Sequence, residues 1–383
     1  MNDVYILGGL RSFIGLRGGI YRHVPAHVLG AEVLQKLLHK YDIASADYII
    51  CGNGVGAGGN ITRLMMLTAG MDAAVPAVTI DMQCCSGLES ISMAAEKIAC
   101  GHADIIIAGG FESSSTQPRR AYNANHPLYN ADDDAANWYD TAQFAPGSQR
   151  ETAMLEGAEQ TAQTCDVSKA EMDAWILKSH QRAIKARHEH FLDDVITSVC
   201  GSDKDEGLRP RMSQRLLDRM PLLLPKGKLL TAANSCLIND GAAMVILCSK
   251  DYIKHHALKP VAKIIAAAAC GSEPQLSPLG AVKVTKRLLQ QNDLTAADID
   301  AFEVNEAFAV IDVLFDRAFP DCTDRYNIFG GALAYGHPYG ASGAVILLHL
   351  LQALKRRGGD LGCCSIAGAG GLGSSMLIER IQE

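Results

Sequence analysis

One arrangement occurs twice in this chain. Ser86-Gly87 opens an apolar helical stretch that runs into the strand-like ADIIIAGG, and Ser342-Gly343 opens AVILLHLLQALKR, which runs into LGCCSIAGAGG. Each copy reads glycine turn, buried helix, strand, paired glycines. A chain that repeats such a unit is held to a duplicated βαβ layout, with active groups contributed by corresponding loops of each half. In the first copy Leu88, Ile91, Ala94, Ala95 and Ile98 fall at helical spacing, predicting a helix over 86–100. Ahead of it, the strand-like runs VYILGG, ADYIICGN and VPAVTIDM alternate with helical HVLGAEVLQKLLHKY and ITRLMMLTAGM. This is the order of an α/β fold with buried parallel strands. From Thr116 to Gly147 the periodicity gives way to Pro, Asn, Asp, Tyr and Gln, an irregular excursion of the kind that serves a ligand or a partner. Helical patterning resumes at Met154, and a second α/β half begins near Leu230.

Composition narrows the function classes. The 383 residues are 48% hydrophobic and 20% charged, enough apolar material for two or three domains with a real core. A formal charge of −7 argues against a nucleic-acid or anionic-membrane surface. No run approaches the ~18 apolar residues of a membrane span, and the start MNDVYILGGLRSF is too short for a secretory core, so cytoplasm is the expected location. The 12 cysteines are scattered through a long chain and read as reduced thiols. No metal is expected. There is no CxxC or HExxH, His188-Glu-His190 reads as a solvated helix end, and Cys363 and Cys364 face opposite sides of a strand.

Chemistry concentrates in three runs. Cys84 and Cys85 sit in VTIDMQCCSGLESI, where a β-branched strand gives way to a helix. Unpaired N–H groups and the positive end of a helix dipole lower a thiol pKa, which predicts a nucleophile there. Asn305 ends the strand-like AFEV, placed either to hold a water or substrate oxygen or to cap the following helix. His337 lies in GGALAYGHPYGASGA, so rich in glycine that the backbone must turn sharply or approach something closely. Thiol, amide and imidazole together make an acyl-transfer set. Two stretches also fit GxGxxG. Gly368 to Gly373 lacks the following residues a βαβ unit needs, whereas Gly54 to Gly59 leaves a nicotinamide-dependent oxidoreductase as a formal alternative.

MQCCSGLES, GGFESSS, AEQTAQTCDVSKAEMDAWILKSHQRA, LTAANSCLINDGAA, VNEAFA and GGALAYGHPYGASGA together resemble the thiolase family, in order and over nearly the whole chain. The resemblance implies a five-layer αβαβα fold of two similar halves. It divides the chain into an N-terminal half over 1–113, a loop domain over 114–230, a return segment over 231–258 and a C-terminal half over 259–383. It implies that Cys84 attacks a thioester carbonyl, that His337 activates the thiol, and that a water on Asn305 assists. The backbone N–H groups of Cys84 and Ala369 would form an oxyanion hole, while Cys85 would be a packing residue. Arg209 would lie near the CoA nucleotide and Cys236, replacing a serine, near the pantetheine. Coenzyme A and acyl-CoA would be the substrates and products, with no permanently bound cofactor and a homodimer or homotetramer as the assembly. One departure matters. Ala367 stands where thiolases carry a second, acid/base cysteine, and Cys363 and Cys364 lie a few residues earlier. The expected activity is therefore thiolysis of 3-ketoacyl-CoA or Claisen condensation of acyl-CoA, with a CoA-binding homologue of low turnover as the alternative.

Overall fold

The computed structural model describes residues 2–148 and 151–382. Apolar runs dense in Ile and Val form the first strands, β1 (Val4–Ser12), β2 (Tyr48–Gly52), β3 (Ala77–Ile80) and β4 (Ile105–Ser113), and β5 (Asn239–Ser249) returns among them. They lie in the order β1-β5-β4-β2-β3. The later strands β6 (Ala262–Gly271), β7 (Ala301–Val304), β8 (Leu361–Gly368) and β9 (Leu372–Arg380) lie in the order β6-β9-β8-β7. Read outward from β1 and from β6, the two orders correspond strand for strand until β3, which has no counterpart. The halves join where β1 pairs antiparallel with β6, Val4 opposite Ile264.

Helices fill the spaces in a matching pattern. α1 (Ala26–Tyr41) and α2 (Ile61–Thr68) cover the outer face of the first half, with Leu29, Leu34, Leu37, Met65 and Met66 set against Ile49 and Ile107. After α3 (Ser86–Ala99) come α4 (Ala153–Thr164) and α5 (Lys169–His188), which lie in the long segment between β4 and β5. α6 (Leu279–Gln291) and α7 (Ala309–Ala318) cover the outer face of the second half, and α8 (Ser342–Arg357) follows them. α3 and α8 lie together between the two sheet halves, with Leu88, Ile91, Leu347, Leu350 and Leu354 in one shared core. The result is five layers. α8 is buried nearly all round, from Ser342 to Leu354 apart from Gln352, as a helix apolar on every face must be. It stops at Gly358, which takes the left-handed φ of +68° behind the basic last turn Lys355, Arg356 and Arg357.

Pairing differs from the expected parallel sheet. Among the strands named above β2–β3, β2–β4 and β7–β8 are parallel, and the short Ile196–Thr197 strand also pairs parallel with Arg11 and Ser12 of β1. β8 and β9 are joined by a tight turn containing Gly370 and Gly371, both at φ +81°, and a short hairpin forces antiparallel pairing. β5 also enters antiparallel, between β1 and β4, after the chain has left the sheet for the inserted segment. The irregular excursion is as expected: between Thr116 and Gly147 there are only the pairings of Arg120–Ala121 with Trp138–Tyr139 and one turn of 3-10 helix at Asp134–Asn137. Among the described residues no helix is long and apolar enough to cross a membrane.

Candidate active site

The two Ser-Gly helix openings meet at the centre of the molecule. A Cβ on Gly87 would stand 2.6 Å from the Gly340 carbonyl oxygen, and one on Gly343 only 2.2 Å from the Leu88 nitrogen. The starts of α3 and α8 therefore touch backbone to backbone. This contact carries Cys84, two residues ahead of α3, toward the loop that carries His337, five residues ahead of α8.

Cys84 is buried at 7% exposure, and the Ala369 N–H, in the turn after β8, is directed at its sulfur. The expected lowering of its pKa does not occur. Burial pushes the thiol up to about 12, the charges of Glu112 and Asp81 add to the rise, and the Ala369 N–H offsets only part of it. Cys85 is the residue flanking α3, fully buried with its sulfur 3.5 Å from the Ile366 carbonyl, a packing position.

His337 is held from several sides. Its N–H donates to Asn239 Oδ1 at 2.9 Å, and its ring stands edge-on to Tyr339 with centroids 5.1 Å apart. Nδ1 is 2.6 Å from Ser342 Oγ, and that hydroxyl donates to the Pro338 carbonyl at 3.0 Å. The serine proton being used, Oγ accepts from Nδ1–H, and the network assigns the lone pair to Nε2. Nε2 is 3.4 Å from Asn305 Nδ2. Burial drives the imidazole pKa down to about 3, so the ring is neutral. Asn305 directly follows β7 and its N–H bonds the Ser365 carbonyl at 3.0 Å. It does not cap the next helix, which starts at Ala309 after Phe308.

Cys236 joins this group and Arg209 does not. The half-buried Cys236 donates its N–H to the Ala307 carbonyl at 2.9 Å, and its thiol is pushed up by burial and, to a smaller degree, by a thiolate at Cys84. Arg209 is exposed and folds back on its own loop, donating to the carbonyls of Glu206 at 2.7 Å and Leu208 at 3.4 Å. Ala367 is the last residue but one of β8, at 6% exposure. Cys363 lies in the outer core of the second half with its sulfur 3.4 Å from Ser375 Oγ, and Cys364 faces the central core. Three residues of extended strand put Cys364 roughly 10 Å from Ala367, so neither thiol stands in for a side chain there.

Glu112, within the quoted GGFESSS, is a site residue the sequence reading passed over. Fully buried, its carboxylate accepts N–H groups from Gly54 at 2.8 Å, Val55 at 3.3 Å and Gly340 at 3.0 Å, and the Asn53 amide at 3.0 Å. Burial raises its pKa to about 7, against the pull of those donors. It ties the Gly54–Gly59 loop to the His337 loop. The N–H groups that a dinucleotide phosphate would need are thus taken by an internal carboxylate, which removes the ground for the nicotinamide reading. Among the described residues no group of three or more His, Cys, Asp or Glu could hold a metal ion.

Residues 4–251 match the family model for the thiolase N-terminal domain, and residues 258–380 that for the thiolase C-terminal domain. The putative acetyl-CoA C-acetyltransferase YhfS of Bacillus subtilis (strain 168) is 34% identical over 382 residues, covering 99% of each chain. The beta-ketoadipyl-CoA thiolase of Pseudomonas knackmussii is 33% identical over 398 residues, again 99% of each. Among solved structures, human mitochondrial 3-ketoacyl-CoA thiolase in complex with CoA has a TM-score of 0.92 at 29% identity, covering 100% of this chain and 98% of that one. The Bacillus anthracis acetyl-CoA acetyltransferase has a TM-score of 0.89 at 28% identity, covering 100% and 99%. None of these supports the low-turnover alternative raised by Ala367.

Proposed function

Because this chain belongs to the thiolase family and is an acyltransferase of thiolase type, we propose that it cleaves a 3-ketoacyl-CoA with CoA, and in reverse joins two acyl-CoA molecules, through an acyl group carried on Cys84. The observation that carries this reading is the Ala369 N–H directed at the Cys84 sulfur, together with a neutral His337, on the loop whose Gly340 meets the start of α3, with its Nε2 lone pair free of the Ser342 contact. Cys84 starts as a neutral thiol. As its sulfur attacks the carbonyl carbon, Nε2 of His337 takes the proton, and the N–H groups of Ala369 and Cys84 stabilise the developing oxyanion. Asn305 Nδ2, 3.4 Å from Nε2, holds the ring and a water in line. CoA runs past Cys236 with its nucleotide phosphates toward the exposed Arg209, whose planar guanidinium suits them. The chain works in the cytoplasm as a homodimer or homotetramer, which light scattering would measure.

The test is intact-mass measurement after incubation with acetyl-CoA or acetoacetyl-CoA. Wild type gains one acyl group and Cys84→Ala gains none. No adduct with any short or medium acyl-CoA would overturn the reading.

A further inference from the structure

The reaction proposed above moves protons that Cys84 and His337 do not handle. When the carbon–carbon bond of a 3-ketoacyl-CoA breaks, its electron pair is left on the α-carbon of the departing acyl-CoA, which must take up a proton. When CoA then attacks the Cys84 thioester, its S–H proton must be removed. His337 is already holding the proton of Cys84. The turn nearest the Cys84 sulfur, Ala367-Gly-Ala-Gly-Gly371, carries no side chain that bears a proton.

Cys236 is set between the two loops that make the rest of the site. On one side its N–H bonds the Ala307 carbonyl at 2.9 Å, Ser235 bridges Phe308, and Ala309 donates to the Asn234 carbonyl at 2.9 Å, which fixes it beside the Asn305 loop. On the other side, two residues along, Ile238 bridges His337, and Asn239 takes the His337 N–H. Its thiol is half-buried, packs at the edge of the outer core, and is raised by burial first and then by a thiolate at Cys84 when one forms. Tyr339, beside the His337 ring, feels both sulfurs. Two thiols and an imidazole thus converge from three separate loops. Tyr339 is another proton-bearing group there; burial raises both it and Cys236, and the phenol starts as the weaker acid, with an ordinary pKa of about 10 against about 8.5 for a thiol.

We propose that Cys236 is the second acid/base group of this enzyme, protonating the α-carbon as the carbon–carbon bond breaks and deprotonating CoA as it attacks the acyl-enzyme. The assignment rests on the thiolase reading of the site. In the first half the Cys84 S–C bond forms and the Cα–Cβ bond breaks. The Cys84 proton goes to His337 Nε2, the Cys236 proton goes to the α-carbon, and an acyl-CoA departs. In the second half the CoA S–C bond forms and the Cys84 S–C bond breaks. The CoA proton goes to Cys236 and the His337 proton returns to Cys84. Both residues end as they began, and no oxidant or reductant is needed.

The experiment compares wild type with Cys236→Ala and Cys236→Ser in steady-state thiolysis of acetoacetyl-CoA, in exchange of the acetyl-CoA methyl protons in D2O, and in intact mass after acetyl-CoA. Both variants are expected to lose ~10²–10⁴-fold in kcat, the range of a positioned acid/base, and to lose the exchange, while acyl-Cys84 still accumulates on long incubation with acetyl-CoA, more slowly because CoA then leaves as its thiolate. That adduct also reports that the variants are folded. Serine keeps the size and a hydroxyl but not the acidity, so Cys236→Ser retaining wild-type kcat and exchange would overturn the assignment and leave Cys236 a binding residue. A wild type that forms no adduct would instead overturn the thiolase reading itself, so the two failures are told apart.

Discussion

The Cys84 thiol sits between two opposing influences. The positive end of α3 favours a thiolate, but a helix dipole is typically worth ~0.3–1 kcal/mol, under one pKa unit. Burial acts the other way and wins, taking the thiol from 9.0 to about 12. A raised pKa means the thiolate is scarce at neutral pH and grows as pH rises. In the free enzyme, the rate of Cys84 alkylation by iodoacetamide should therefore climb about tenfold per pH unit between pH 7 and 10. Peptide mass spectrometry would follow it, and a plateau near neutrality would mean a preformed thiolate. The positions of Cys84, Asn305 and His337 were legible because each lies at a strand end or in a glycine-rich run. The sign of the thiol shift was not legible, since the Ala369 turn and the neighbouring loops that bury Cys84 come from distant parts of the chain. Glu112 had one local signal, a lone carboxylate directly after the apolar run IIIAGGF, but the four donors it gathers come from two loops far apart in sequence, Asn53 to Val55 and Gly340.

Among the elements, the crossing of α3 and α8 sets the site. Gly343→Ala would put a Cβ 2.2 Å from the Leu88 nitrogen, backbone that cannot rotate away. Overpacking of this kind costs ~1–3 kcal/mol or more, and forcing the helices apart also separates Cys84 from His337. The variant should melt lower than wild type and form acyl-Cys84 more slowly. Calorimetry and the adduct assay would check both, and a variant matching wild type in each would show that the helices do not bear on one another here. The repeated Ser-Gly openings disclosed this pair of helices in advance, because a central helix must be apolar on every face. The antiparallel entry of β5 was not disclosed. Buried on both faces from Asn239 to Ser249, the strand carries no periodicity that distinguishes direction.

At the scale of the whole molecule, one buried cation links three regions. Arg11 of β1 makes a bidentate pair with Asp205 of the inserted segment at 2.9 and 3.0 Å, donates to His349 of α8 at 3.2 Å, and lies over the Tyr335 ring. Asp205 Oδ1 also accepts the Ile14 N–H at 2.7 Å. Breaking a buried pair by removing one partner costs ~3–5 kcal/mol, because the other charge is left uncompensated. Arg11→Met should lower stability by about that amount and loosen the 196–208 stretch, read by urea denaturation and by limited proteolysis. Unchanged cleavage there would show that other contacts hold the inserted segment. Because Gly87 and Gly343 let main chain rest on main chain, the spacing of the two backbones that carry nucleophile and base is gauged by peptide geometry. Substitutions that thin the surrounding cores would thus erode the lifetime of the folded enzyme before they altered the reach of one reacting group to the other.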